Sequence, residues 1–220
     1  MTSMTLTNRT ILIIANELPL TITLVTQLTK FNNKIVVLSL NPEIKNHITM
    51  LQPNVTILNL DIYDESNRML LVEELNKRYL SPSYIIHNDF PLTEDIILRS
   101  DNSQFQTIVE TYFTSLTHLN EYLIPFLETE ADPTVSYILP NLSLSHQKHR
   151  KILFVYQKTI RLYVDVLNIS YMNIRFMCVK YPLKFNLKRK QTMYAHYHST
   201  KLDKFTTKFI RRLGNFTYLF

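Results

Sequence analysis

Short apolar runs alternate along the chain with longer stretches whose apolar positions recur at helical spacing. The runs are TILII (10–14), KIVVLSL (34–40), VTILNL (55–60), SYIIHN (83–88), TVSYIL (134–139) and MNIRFMCV (172–179). They are short and almost uninterrupted by polar residues, which is the pattern of strands covered on both faces. Between them lie helical patterns. The first runs through Lys30, and a short one opens at NPEI (41–44). NRMLLVEELNKRYL (67–80) follows the turn DIYDES. QFQTIVETYFTSLTHLNEYLIPFL (104–127) is the longest, with Asp101 or Ser103 as candidate caps, and HRKILFVYQKTIRLYVDVLN (149–168) is the last of this series. Alternation of this kind predicts an α/β fold: a Rossmann-like, doubly wound parallel sheet with helices on both faces. Its natural ligand crevice lies beyond the carboxyl ends of the strands.

The length of 220 residues suits one domain with a full core. Residues 1–183 are expected to form the Rossmann-like unit. Residues 184–220 form a basic C-terminal segment packed on the same domain. In that segment nine Lys or Arg stand against Asp203 alone, a formal +8; the chain totals +6, so the rest carries −2. The basic character therefore belongs to the tail. Within it, Leu202, Phe205, Phe209, Ile210 and Leu213 recur at helical spacing among Lys and Arg, and Gly214 suits a C-cap.

Glycine changes the picture most. Average usage would give about fifteen, and Gly214 is the only one. Tight turns must then rely on Asn, Asp, Pro or Ser. A single cysteine, Cys178, excludes an intrachain disulfide. No apolar run approaches the ~18 residues of a membrane span, and the first ten residues lack a signal peptide's apolar centre. A soluble, cytoplasmic protein without a transmembrane segment is the expectation.

The order of elements, and three stretches in particular, resembles the short-chain dehydrogenase/reductase family. VTILNLDIYDESNRMLLVEELNKRY is similar to the family's third strand, its acidic turn and the following helix. IVETYFTSLTHLNEYLIPFL resembles its long interface helix, and NIRFMCVKYP its sixth strand with the turn beyond. The resemblance implies a Rossmann sheet, an NAD or NADP cofactor, and hydride transfer supported by Ser, Tyr, Lys and Asn.

Most of the implied positions depart from the family pattern, and a few keep it. The phosphate turn Thr-Gly-x-x-x-Gly-x-Gly falls on Ile14, Ala15, Pro19 and Thr21. Those glycines serve a tight turn, a close approach of backbone to pyrophosphate, and close helix–strand packing, whereas Pro19 has no N–H, Thr21 adds a branched side chain where the helix should sit closest, and Glu17 adds a negative charge at a helix N-terminus. Ser39 and Leu40 end the second strand, where the family selects NAD or NADP. Asp61 matches the adenine-side Asp. The family's Asn-Asn-Ala-Gly becomes His87, Asn88, Asp89 and Phe90, with Asn88 retained. In the catalytic group, Tyr112 stands for Asn, Pro140 for Ser and Phe154 for Tyr, while Lys158 is retained. Tyr156 lies about 200° around the helix from Phe154 and so is no simple substitute for it.

Three functional expectations follow. The first is a pseudoenzyme of this family that lacks dehydrogenase activity, binds no NAD(P) in the usual way, and acts as a homodimer or heterodimer through the helices around 103–127 and 150–167. Tyr112, Phe113, Leu116, Leu119, Tyr122 and Leu123 would serve core and interface together. The second is a divergent oxidoreductase that uses NADP or NAD with an altered site. The third is a binder of anionic membranes or nucleic acid through residues 184–213. His146 with His149, and His196 with His198, are too few and too scattered for the three or four ligands a zinc site needs; no metal is expected.

Overall fold

The computed structural model describes residues 6–16, 18–52, 54–89, 102–140, 147–181 and 204–210. Six strands form one parallel sheet: β1 (Thr10–Ala15), β2 (Lys34–Leu38), β3 (Thr56–Leu58), β4 (Tyr84–Asn88), β5 (Thr134–Pro140) and β6 (Arg175–Tyr181). Their spatial order is β3-β2-β1-β4-β5-β6, the doubly wound Rossmann order. The helices are α1 (Leu18–Leu28), α2 (Pro42–Leu51), α3 (Glu65–Lys77), α4 (Asn102–Glu128) and α5 (Gln147–Ser170). A further helical segment spans 204–210.

The apolar runs feed two cores, one on each face. In β1, Leu12 and Ile14 join the core beneath α3, α4 and α5, while Ile11, Ile13 and Ala15 join the one beneath α1 and α2. The two-residue period of a strand divides the side chains this way. The helices answer with their own period. Leu20, Leu24 and Leu28 of α1, and Tyr112, Leu116, Leu119 and Leu123 of α4, are all buried stripes. Each such aliphatic side chain stabilises the fold by about 2 kcal/mol when removed from water. Helix starts follow ordinary capping. Asn41 Oδ1 accepts from the Glu43 N–H with Pro42 at the first helical position, and Asp64 Oδ1 accepts from the Ser66 N–H.

The glycine-poor turns are built from Asn and Asp. Positive φ occurs at Asn8 (56°), Asn32 (55°), Asp132 (56°) and Tyr79 (52°). Asn and Asp tolerate this region because their side chains bond locally. Tyr79 is the exception, and its place explains it. The Leu80 N–H donates to Leu75 O and the Tyr79 N–H to Asn76 O, the paired bonds of a Schellman C-cap whose C′ residue is normally glycine. Leu75 and Leu80 share one core, as that motif favours. Tyr79 is 91% exposed and so contributes no packing. Tyr79→Gly should therefore raise the unfolding free energy by about 0.5–1 kcal/mol in urea titration.

Several boundaries differ from the sequence expectation, two of them near the crevice. The β1–α1 turn is shorter, because α1 already begins at Leu18 and Thr21 lies inside it. Pro19 permits this, since proline is tolerated in a first helical turn whose N–H groups have no intrahelical acceptor. The strand expected over 55–60 pairs only at Thr56–Leu58. Glu17, Phe90, Asp101, His146, His196, His198, Leu202, Leu213 and Gly214 lie outside the described residues, as does most of the basic segment.

Candidate functional site

The strand order reverses between β1 and β4, which are neighbours in the sheet, and the crevice sits at the carboxyl ends of β1 to β4. Asn16, Ser39, Asp61, Tyr63 and Asp89 supply its polar lining, and it holds about 30 Å³.

The β1–α1 turn forms one wall. Ala15 is buried at the end of β1, and the Asn16 N–H donates to Asn88 O. Thr21 is fully buried, and its Oγ1 accepts from Asn88 Nδ2 at 3.0 Å. The end of β4 is thus tied by a side-chain bond to the first turn of α1. Both partners are buried, where an unmade bond would cost about 1–3 kcal/mol.

The acidic and hydroxyl side chains of the lining are partly engaged. Ser39 Oγ accepts from the Asn41 N–H. Asp61 Oδ1 accepts from the Tyr63 N–H, and Asp61 O from the Asp64 N–H, so Asp61 shapes the turn that leads into α3. Leu40 is half exposed.

Behind the crevice lies a chain of buried phenols ending on a carboxylate. Tyr156 Oη donates to Tyr112 Oη at 3.4 Å, and Tyr112 Oη donates to Asp89 Oδ1 at 3.3 Å. His87 Nδ1 is also 3.4 Å from Asp89 Oδ1, without hydrogen-bond geometry. The His87 ring stacks on Tyr137, with centroids 4.7 Å apart. Asn120 Nδ2 then bridges the hydroxyls of Tyr137 and Tyr163 at 2.8 and 2.9 Å. Burial pushes the Tyr112, Tyr137 and Tyr156 phenols above their ordinary range, and the nearby Asp89 carboxylate adds to the rise. Tyr63 is raised for the same reasons.

The remaining predicted positions lie apart from this cluster. Phe154 and Lys158 are exposed, and Lys158 Nζ sits 5.5 Å from the Phe154 ring centroid, a surface cation–π contact worth about 0.5–1 kcal/mol. The face of α5 turned toward the sheet carries Tyr156, Ile160, Val164 and Leu167 instead. The expected half-turn between Phe154 and Tyr156 is present, but Tyr156 is the inward member. Pro140 ends β5 and pairs with Tyr181 of β6. The Cys178 thiol is pushed up to about 11 by burial, so it is not a thiolate at neutral pH.

Sequence reasoning named Asp89 only as a departure from the family pattern, and it missed the inward place of Tyr156. The signal for Tyr156 was available, because it continues the buried i, i+4, i+8, i+11 stripe through Ile160, Val164 and Leu167. The signal for Asp89 was a carboxylate directly after an apolar strand, at the family's alanine position. Among the described residues no group of three or more His, Cys, Asp and Glu is placed to share a metal, and no helix is long and apolar enough to cross a membrane.

A doubly wound parallel sheet with its crevice at the β1/β4 reversal defines a Rossmann-like α/β protein. Among such folds it is similar to those of short-chain dehydrogenases/reductases. The short-chain dehydrogenase of Shigella flexneri superposes with a TM-score of 0.73 at 14% identity, covering 95% of this chain and 87% of that one. The L-sorbose reductase of Gluconobacter frateurii, complexed with NADPH and L-sorbose, gives 0.66 at 13%, covering 81% and 70%. The ligand-free aldohexose dehydrogenase of Thermoplasma acidophilum gives 0.63 at 12%, covering 80% and 67%. No family model matches the sequence, and no curated protein matches it. The likeness is one of fold.

Proposed function

We propose that this protein is a pseudoenzyme of the dehydrogenase fold: it does not hold NAD(P) in the usual pose, carries no dehydrogenase activity, and works by association through α4 and α5. The observation that carries this reading is the buried bond between Asn88 and Thr21. It fills the place where the related motif keeps its third glycine for close packing of the helix on the strand, next to the position of Pro19, where backbone would approach a diphosphate. Other features support it. Pro19 brings no N–H to the helix start, and Asp89 sets a carboxylate in the crevice wall. The crevice bounded by described residues holds about 30 Å³, against ~300–1,000 Å³ for ordinary cofactor and ligand pockets.

A divergent oxidoreductase would use Tyr156, the inward phenol. Proton transfer near neutral pH calls for a lowered phenol pKa, and burial here moves Tyr156 the other way. The third reading, a surface binder through the tail, meets a competing use of its apolar face. Phe209 and Ile210 are buried in the core beneath α1 and α2, leaving Lys204 and Lys208 exposed as a solvated face.

The association surface shifts from the sequence expectation. Tyr112, Leu116, Leu119 and Leu123 are spent on the core, and Phe113 and Tyr122 are only partly buried. The outward stripe of α5 is apolar: Val155, Leu162 (67% exposed), Val166 and Ile169 (80% exposed) fall on one side of the helix. A contiguous apolar face of this kind marks an interaction surface. The full chain should scatter light as a dimer at 0.1 mM, a concentration of about 10⁻⁴ M at which a Kd of micromolar order gives nearly complete pairing. The double variant Leu162→Glu, Ile169→Glu should halve the mass while keeping the wild-type circular dichroism. A wild-type monomer at that concentration would remove self-association; pairing with a different chain would then rest on co-purification through the same stripe.

A further inference from the structure

The lining of the crevice has a definite chemical character. Its charged members are both acids, Asp61 and Asp89, and no Lys or Arg lines it among the described residues. Tyr63 and Ser39 add hydroxyl groups. The acceptors are unequally satisfied. Asp61 Oδ1 takes the Tyr63 N–H, Ser39 Oγ takes the Asn41 N–H, and Asp89 Oδ1 takes the Tyr112 hydroxyl. Asp89 Oδ2 has no hydrogen-bond partner, although the residue is only 2% exposed. A buried carboxylate oxygen left without a donor is costly, and more so than a neutral group. Apart from Asn16 the rest of the lining is apolar, with Leu60 partly buried and Leu40 half exposed.

Resting on the reading that a dinucleotide no longer occupies this crevice, we propose that it binds the ammonium head of a small primary amine, with the alkyl stem running out past Leu60 and Leu40. An ammonium brings three donors and one positive charge in a compact head. That matches two carboxylates, one of them with an unsatisfied oxygen. The space also selects: about 30 Å³ accepts a head about the size of one water, and a guanidinium is larger. An anionic head meets only like charge. The same acids that disfavour a diphosphate thus define the opposite ligand, at the same crevice and without any change of fold.

The test uses the full chain at pH 7, observed by amide ¹H–¹⁵N spectra, with butylammonium as the probe and n-butanol and butyrate as its neutral and anionic counterparts. Butylammonium should shift the amides of Asn16, Ser39 and Asp89 saturably. Butanol should bind at least tenfold more weakly, and butyrate should leave these amides unmoved. Asp89→Asn keeps the shape and removes the charge, and it should weaken butylammonium at least tenfold. Asp61→Asn, whose carboxylate accepts from the Tyr63 backbone N–H and not from a phenol, is the second variant should the first lose its fold by circular dichroism. Equal responses to all three probes, no saturable response to butylammonium, or undiminished binding by the folded variants would each overturn the proposal. NADPH added to a parallel sample separates the two readings. Shifts at Ala15 and Thr21 would refute the loss of dinucleotide binding whatever the amine does, whereas silence from both compounds would refute the amine site alone.

Discussion

Tyr112→Ala should lower the unfolding free energy by about 4 kcal/mol, within the range for removing a large buried aromatic side chain. Tyr112 is 1% exposed and belongs to the core beneath α3, α4 and α5. Its ring contacts Tyr63 and Tyr156, and its hydroxyl joins Tyr156 to Asp89. Tyr112→Phe separates these contributions. It keeps the packing, but it takes the donor from Asp89 and should cost about 1–3 kcal/mol. Urea unfolding followed by circular dichroism measures both. The resemblance gives this position to a catalytic asparagine, so the pair asks what the residue now does. A large loss for alanine with a smaller one for phenylalanine marks a pillar of the fold. A loss below about 1 kcal/mol for alanine, the level of ordinary surface substitutions, would contradict that role.

A second large effect should appear in alkali. Tyr112, Tyr137 and Tyr156 are all buried, and their phenols lie above the ordinary value near 10 in the folded protein. In the unfolded chain they ionise near pH 10. Above that pH the unfolded state has lost protons that the folded state still holds, so stability falls as pH rises. Below it both states are protonated, and the full stabilisation is present. Three such phenols give a slope approaching 4 kcal/mol per pH unit beyond about pH 10, since each contributes about 1.4. The check is absorbance at 295 nm alongside circular dichroism. These three rings should ionise only together with unfolding. Complete ionisation of all tyrosines with the fold intact would contradict the buried network.

Much of this architecture was legible in the apolar runs. TILII, KIVVLSL, SYIIHN and TVSYIL carry side chains for both faces of a covered sheet, and their cores alternate as a parallel strand requires. The shortage of glycine also had a readable consequence, and Asn8, Asn32 and Asp132 take the positive φ angles. The site was harder to foresee. The start of α1 at Leu18 depends on a proline accommodated in the first turn, which a motif count from Ala15 to Thr21 does not reveal. The inward face of α5 was set by the stripe from Tyr156 to Leu167, whereas attention to Phe154 and Lys158 followed a motif on the opposite face. Asp89 gained its meaning only through its bond with Tyr112 of α4. Partners separated widely in sequence leave no local pattern.

Thermal unfolding of the full chain with and without 1 mM NADPH tests the central claim most directly. A ligand that binds only the folded state must raise the midpoint, by about 2.7 kcal/mol of stability at a hundred times Kd. If Pro19 at the start of α1, the packed Thr21–Asn88 bond and the carboxylate of Asp89 leave no seat for a diphosphate, the midpoint should not move. A midpoint that rises with NADPH concentration, accompanied by amide shifts at Ala15 and Thr21, would contradict the account.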